Sequence, residues 1–540
     1  MTNYTDTFTS DNLPAASLFP EFVFDDPRFQ HPEEFNAATR LLDIQIEQGN
    51  GAKPCLHTFE KTWTYQELYD KSNQIAHVLK DDLGLVPGNR VLLRSMNNPM
   101  LVACWFGVIK AGGVVVTTMP LLRAKELKAI CESAKVSHVL RDKRLAGEME
   151  QVDSACLRHV LFFDGTESEE LDLELKMRGK PTLFTNFKPR ATDTAIIGFT
   201  SGTTGIPKMT AHFHRDLLNI CESFPPFALQ SSSKDVFAGS PPIGFTFGLG
   251  GLVLFPMYVG ASSFLLEKPS PDDLLRGIEQ FKVSICFTAP TAWKVIQTKV
   301  NDYNISSLRR CVSAGESLPQ SVWESWYETT GLKIIDGIGA TEMLHIFISS
   351  DSDHIKPGST GKPIPGYEAK LVDEDGIEVE QGQPGRLAVR GITGCRYLNR
   401  EEKQREYVLN GWNITGDVFR QDEDGYYWYV ARNDDMIISS GYNIAAVDVE
   451  NILLAHEEIQ EVAVVGQPDD ERGMVVCANI VLKEGFVGSE EKALEIKNWF
   501  KKAAAPYKYP RVIHFVDKIP KTQTGKIQRF KFKKDNTPTV

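Results

Sequence analysis

The chain has 540 residues, 42% of them hydrophobic and 24% charged, and a formal net charge of −12. That length is too great for one hydrophobic core, so a large body of more than one subdomain with a smaller appended domain is expected. The acidic balance argues against a non-specific nucleic-acid binder, which would be basic overall, but leaves room for a local basic pocket that takes an anionic substrate.

The N-terminal stretch MTNYTDTFTSDN is polar and acidic, without a basic n-region or an apolar h-region, so no signal peptide is expected. Nine cysteines are scattered singly, with no CxxC pair and no zinc spacing, which reads as reduced, mostly buried thiols in a cytoplasmic protein. Apolar spacing over 63–81 predicts an amphipathic helix, and GNRVLLRSMNN (88–98) a short strand entering a loop. ACWFGVIKAGGVVVTTMP then gives a buried helix, a Gly-Gly break and a β-branched strand. Residues 101–120 and 248–266 could pass for membrane spans. Lys110 with Gly112-Gly113 breaks the first and Pro256 the second, so both read as buried core and no membrane partner is expected. The strand–helix–strand rhythm recurs near 155–165, 235–266 and 281–313, which predicts an α/β fold with largely parallel sheets.

From about residue 367 the texture becomes β-rich, with Asp-Gly and Pro-Gly turns. ARNDDMIISSGYN (431–443) marks a candidate boundary. Beyond it, helices over 447–456 and 492–505 and strands over 461–466, 475–482 and 511–516 suffice for a small α+β domain.

The most informative loop is TSGTTGIPK, 200–208. It is not a Walker A loop: Gly202 and Gly205 are three apart, and Lys208 follows a proline. The physics is related all the same. Glycines let backbone N–H groups approach an anion, Thr200, Ser201, Thr203 and Thr204 add hydroxyls, and Lys208 adds positive charge. A strand before it and a helix from His214 would suit a phosphate cradle. A solvated Gly/Thr/Ser turn is the ordinary alternative for such a composition. The HxH pair His212 and His214 has no evident third ligand, so no metal site is expected there.

TSGTTGIPK resembles the signature loop of the adenylate-forming superfamily of acyl- and aryl-CoA ligases, luciferases and peptide-synthetase adenylation domains. Further motifs follow in that family's order over nearly the whole chain. SAGESLP (313–319) resembles the loop bordering the adenine, and GIGATE (337–342) the second core motif, with Ile338 in its aromatic place. ITGD (414–417) resembles the ribose-binding motif, ARNDDMIISSGYNI (431–444) the hinge, and PKTQTGKIQR (520–529) the C-terminal lysine motif. The resemblance implies a body over 1–433 and a mobile lid over 434–540. It also implies ATP, Mg²⁺ and coenzyme A as reactants or cofactor. Thr200, Ser201, Gly202, Thr203, Thr204, Gly205 and Lys208 would hold the β- and γ-phosphates. Gly315, Glu316, Asp336, Gly337 and Ile338 would border the nucleotide. Thr341 would donate to the α-phosphate, Glu342 would bind Mg²⁺, and Asp417 with Arg432 would take the ribose hydroxyls. Lys526 would be the catalytic cation, Asp434 the hinge, and Gly441 with Tyr442 part of the pantetheine tunnel.

PPIGFTFGLGG (241–251) and ATEMLHIFISS (340–350) closely resemble benzoate- and 2-aminobenzoate-CoA ligases. By that resemblance Phe245, Thr246, Phe247, Gly339, His345 and Ile346 would line a short, flat pocket for one aromatic ring. Thr246-Phe247 stands where benzoate enzymes often carry Ala-Tyr. That departure tilts the expectation toward 2-aminobenzoate. As residues alone, these aromatics would read as core packing. The alternatives are an enzyme loading a carrier-protein thiol, a medium-chain acyl-CoA ligase, and a non-catalytic sensor on the same fold. Homodimerisation is compatible with any of them.

Overall fold

The computed structural model describes residues 2–164, 171–200, 208–432, 435–439, 442–469, 473–503, 508–521, 527–529 and 531–532. The fold is mixed α/β, with a large N-terminal body and a smaller C-terminal domain. Compactness divides the chain into one unit of Met1–Ala369 with Val389–Asn413 and another of Lys370–Ala388 with Ile414–Val540.

The first unit carries two large sheets. One has six strands in the spatial order His159–Phe163, Val136–Asp142, Arg90–Arg94, Val114–Thr118, Thr194–Thr200, Lys208–Phe213. Its neighbours are parallel except the last pair, which is antiparallel. The other has nine strands. Its central run (Ile334–Gly339, Arg310–Ala314, Ile285–Thr288, Val236–Gly239, Ser262–Phe264, Pro54–His57) is parallel, and antiparallel strands close both edges. Parallel strands buried on both faces require near-continuous apolar runs. VVVTT (114–118) and the fully buried ICFT (285–288) supply them.

The helices start where the local chemistry permits. Tyr65–His77 opens on a capping box in which the Thr64 hydroxyl accepts from the Glu67 N–H and the Glu67 carboxylate accepts from the Thr64 N–H. Pro99–Lys110 has Asn98 as its cap and proline in its first turn. Every residue of that helix is buried, Lys110 included. The lysine is tolerated because it pairs with Asp43 at 2.7 Å and donates to Asn73 Oδ1 at 2.7 Å. Burial, opposed by Asp43, lowers its pKa to about 8. Among the described residues no helix is long and apolar enough to cross a membrane.

One sequence expectation changes here. The residues after the 201–207 loop form a strand, Lys208–Phe213, and the helix His214–Phe224 begins only after it. The loop therefore joins two antiparallel strands, and Thr200 and Lys208 are cross-strand partners. A helix N-terminus cannot serve as the cradle, because the intervening strand carries it away from the loop. The β-branched and apolar alternation of KMTAHF favours the strand.

A segment over 395–398 runs beside this hairpin. Leu398 N–H donates to Met209 O and Ala211 N–H to Arg396 O, each at 2.9 Å. Arg396 is wholly buried and pairs with the equally buried Asp216 at 2.7 Å. Its guanidinium lies 3.9 Å from the centre of the Phe213 ring. The Asp216 carboxylate also accepts the Phe213 N–H at 2.9 Å.

Residues 367–432 form the expected β-rich segment, with strands Tyr367–Val372, Gly385–Gly391, Val408–Leu409, Trp412–Gln421 and Tyr427–Arg432. The C-terminal sheet orders Tyr442–Ala445, Met436–Ser439, Gly473–Leu482 and Ile459–Asp469, with Val512–Phe515 parallel to Gly473–Leu482. Helices Ala446–Leu454 and Glu490–Ala503 pack their buried faces on it through Val449, Leu453, Ile496 and Phe500. The hairpin at 436–445 was not foreseen, since it falls inside the hinge motif.

Asp216→Ala would leave the Arg396 guanidinium buried without its carboxylate, a loss of about 3–5 kcal/mol. The expected outcome is a clearly lowered thermal midpoint. A wild-type midpoint would show that this pair does not hold the 395–398 segment in place.

Candidate functional site

Ser201, Gly202, Thr203, Thr204, Gly205, Asp434, Gly441 and Lys526 lie outside the described residues, as does the side chain of Tyr442. At the end of the first hairpin strand, Thr200 has a buried hydroxyl without a hydrogen-bond partner among the described residues. Across from it, Lys208 donates from Nζ to Tyr397 Oη at 2.8 Å. Tyr397 donates that hydroxyl's proton to Glu342 Oε1 at 2.5 Å, and Lys208 lies 3.8 Å from the same carboxylate oxygen. The structure thus brings two predicted residues, Lys208 and Glu342, together around a third that was not predicted. Tyr397 is 1% exposed, and burial, followed by the Glu342 charge, pushes its phenol well above the usual tyrosine range.

Thr341 and Glu342 sit in a single 3₁₀ turn, Thr341–Met343, following the strand Ile334–Gly339. The turn is docked on the hairpin. His212 donates from Nε2 to the Thr341 carbonyl at 2.7 Å, and a Cβ added to Gly198 would meet Thr341 Cγ2 at 2.7 Å. The other histidine of the pair, His214, lies against Tyr4 Oη at 3.1 Å and accepts the Ala37 N–H at 3.3 Å. The turn ends at Leu344, a buried non-glycine residue at φ +70° and ψ −41°. Such backbone costs on the order of 1–3 kcal/mol and concentrates at functional sites. Here it lets the turn pass directly into the strand Ile346–Ser349.

The residues expected to border the adenine share neighbouring strands. Ser313 pairs with Asp336 and Ala314 with Gly337. Gly315 adopts φ +93°, which a glycine takes without strain, and places Glu316 at the start of the following loop. Burial pushes the Asp336 carboxyl up to about 8, and its Oδ1 is buried without a partner. Ile338 pairs with Ile348, and Gly337 carries no side chain because Ile346 Cδ1 would lie 2.8 Å from a Cβ there.

Phe247 and His345 are brought together, with ring centres 5.8 Å apart, and Phe255 and Phe287 close around them at 4.6 Å from His345 and 5.6 Å from Phe247. Gly339 approaches so closely that its Cβ would lie 2.8 Å from the His345 carbonyl oxygen. Phe245 precedes, and Thr246 begins, the short helix Thr246–Leu249, and both are half-buried. His345 is 2% exposed, and neither of its ring nitrogens has a partner at hydrogen-bond geometry. Burial lowers its pKa to about 3, opposed only by the Phe247 backbone.

In the second unit, Asp417 and Arg432 are cross-strand partners, with Oδ1 3.3 Å from Nη1. Gly416 takes φ +77°, and a Cβ there would crowd Arg432 Nη2 at 3.3 Å. Ribose-motif glycine and arginine are thus fitted to each other. Arg529, in the lysine motif, pairs with Glu450 at 2.7 Å and Asp435 at 3.3 Å.

One carboxylate beside one lysine cannot cage a metal alone. Glu342 could hold a Mg²⁺ only with further oxygen ligands supplied by a bound substrate. His212 and Tyr397 escaped the sequence reading because their roles depend on which strands become neighbours. The one available signal was that His212 lies two residues before the helix, in the strand leading from the loop.

The AMP-binding enzyme family matches residues 43–396, and the AMP-binding enzyme C-terminal domain matches residues 448–526. A benzoate–CoA ligase of Thauera aromatica is 34% identical over 516 residues, covering 94% of this chain and 97% of that protein. The crystal structure of the anthranilate CoA ligase AuaEII in complex with anthranoyl-AMP superposes with a TM-score of 0.88 at 34% identity, covering 94% of this chain and 98% of that one. The human mitochondrial acyl-coenzyme A synthetase ACSM3 is 32% identical over 532 residues, covering 94% of this chain and 91% of that protein. The chain belongs to the AMP-binding, adenylate-forming enzyme family. Within that family it is an acid–thiol ligase.

Burial also lowers the pKa of His212 to about 4 and of His214 to about 3, against about 6.5 for a free imidazole. Below that value the unfolded chain binds protons that the folded state refuses, so stability is held above about pH 6.5 and falls as pH drops toward 4. His345→Leu deletes one such ring. Its thermal midpoint should fall less steeply between pH 7 and pH 5 than that of wild type. Parallel curves would contradict a neutral, buried His345.

Proposed function

We propose that the protein is an ATP-dependent aryl-CoA ligase acting on an aromatic carboxylate of the 2-aminobenzoate or benzoate type. The observation that carries the aryl reading is the contact of Phe247 with His345 and Phe287, and of His345 with Phe255, an apolar aromatic wall that would suit one flat ring. Similarity to the benzoate and anthranilate ligases supports it. Thr246 would offer a ring substituent a hydrogen-bond partner. The second reading, a medium-chain acid, is favoured by the similarity to ACSM3.

In the proposed first step, a carboxylate oxygen attacks the α-phosphorus of ATP, and the bond to the bridging oxygen breaks to release pyrophosphate. Thr200, Ser201, Gly202, Thr203, Thr204, Gly205 and Lys208 grip the leaving pyrophosphate, and Thr341 donates to the α-phosphate. Glu342 would hold Mg²⁺, which when bound would supply charge neutralisation to the phosphates. Gly315, Glu316, Asp336, Gly337 and Ile338 border the base, while Asp417 and Arg432 take the ribose. Lys526 stabilises charge growing between the carboxylate and the α-phosphate. In the second step, the CoA sulfur attacks the acyl carbon, the thiol proton passes to water, and AMP leaves with the oxygen that linked it to the acyl group. The lid, 434–540, turns about Asp434 between the steps, so that Gly441 and Tyr442 face the pantetheine arm. We place the enzyme in the cytoplasm, as a monomer or homodimer without nucleic-acid or membrane partners.

Pyrophosphate release with 2-aminobenzoate, benzoate and octanoate, each with and without CoA, tests this. Release should require an aryl acid, and a thioester should form only with CoA. Turnover of octanoate alone would replace the aryl reading. Lys526→Ala should lose adenylation by orders of magnitude yet still convert a supplied aryl-adenylate to thioester. Equal loss of both steps would remove that role. Phe247→Ala should flatten the preference among the three acids, and an unchanged profile would take Phe247 out of the pocket.

A further inference from the structure

Tyr397 is far in sequence from both the phosphate loop and the Thr-Glu turn, yet its hydroxyl is the only described group bridging Lys208 and Glu342. Its position is imposed from outside the site. Leu398 N–H donates to Met209 O, and Tyr397 N–H donates to Gln404 Oε1 at 2.9 Å. The preceding residue, Arg396, is riveted to Asp216. Gln404 is itself fully buried and donates back to the Cys395 carbonyl at 3.0 Å. The ring also sits 4.7 Å beneath the Lys208 ammonium. A phenol held this firmly has one proton and one accessible lone-pair face. Here the proton goes to the carboxylate and the lone pair receives the lysine.

The consequence is separation. Lys208 and Glu342 form a long ion pair of 3.8 Å, with the carboxylate largely shielded from water and the lysine half-buried. Without an intermediary they would close to direct hydrogen-bonded contact, since Coulomb attraction strengthens as water is excluded. Each would then be occupied by the other. With the phenol between them, each is oriented and neither is fully neutralised. We propose that Tyr397 is a positioning residue that holds Glu342 available to Mg²⁺ and Lys208 available to phosphate, by keeping their long ion pair from closing to direct hydrogen-bonded contact. This rests on the assignment of Lys208 and Glu342 to the Mg·ATP site made above.

Equilibrium binding of ATP, measured calorimetrically across a Mg²⁺ titration, reads the site without any acid or turnover. Tyr397→Phe keeps the ring and removes only the hydroxyl. Partners that orient metal ligands typically matter by 10–100-fold, so the Mg²⁺ concentration giving half-maximal ATP affinity should rise about tenfold. Thioester formation from a supplied aryl-adenylate should be unchanged. In the Glu342→Gln background, the same tyrosine change should have little further effect on Mg²⁺ dependence, because the pair it separates no longer exists. An unchanged Mg²⁺ midpoint in Tyr397→Phe would overturn the proposal. So would a lowered thermal midpoint with both half-reactions reduced together, which marks a merely structural residue, and so would equal effects in the two backgrounds. Wild-type protein that binds Mg·ATP but releases no pyrophosphate with any carboxylic acid would sink the ligase reaction while leaving Tyr397 to be judged by the binding titration. Wild type that binds no ATP would overturn both.

Discussion

A loop proposed to receive a charged leaving group needs ends that are fixed in place. In this chain the ends are fixed by strand register: Thr200 and Lys208 face each other across the last antiparallel pair of a six-stranded sheet. A one-residue slip there would turn Lys208 to the opposite face. Much of the surrounding structure secures that register. Residues 395–398 pair with the returning strand, the buried Arg396–Asp216 contact anchors them, and His212 fastens the Thr341 turn to the same strand. The hairpin thus sets both the lysine and the platform on which the Thr-Glu turn rests.

The second constraint is dryness. His345 lies among Phe224, Phe247 and Phe255 and stays uncharged there, while Leu344 accepts unfavourable backbone so that His345 follows directly after the turn that carries Glu342. A polar, charged cluster and an apolar, aromatic one therefore adjoin in sequence at 341–346. The proposed reaction, which joins a carboxylate on an apolar ring to a phosphate on a polar tail, would use such a junction. In the second unit, Gly416, Asp417 and Arg432 form a small cross-strand fitting of the same economy, one residue giving room to another.

Where function depended on local order, the sequence was legible. The α/β rhythm, the parallel core strands, the helices at 65–77 and 446–454 and the β-rich segment all follow from apolar periodicity and turn residues. The motif string was enough to identify the family and the reaction type. The strand after the phosphate loop was missed because glycines and hydroxyls suggested the more familiar loop-then-helix arrangement, while KMTAHF owes its strand to pairing with Thr194–Thr200. Tyr397 and His212 were invisible for a related reason. Nothing within several residues of Tyr397 distinguishes it, the HxH pattern around His212 suggested only an absent metal site, and each acquires its role from a partner brought in by sheet topology. The pairing of Phe247 with His345 was anticipated by resemblance, but the rings that close around them, Phe255 and Phe287, come from a helix and a strand that no local pattern links.

The central claim is that a carboxylate oxygen of the acid becomes bonded to the α-phosphorus of ATP. The most direct test follows that oxygen. The acid that the protein turns over is labelled with ¹⁸O in its carboxylate and incubated with Mg·ATP and CoA, and the products are weighed by mass spectrometry. One labelled oxygen should appear in AMP and the other in the thioester, with unlabelled pyrophosphate. Unlabelled AMP, or label in inorganic phosphate with ADP as the nucleotide product, would contradict it.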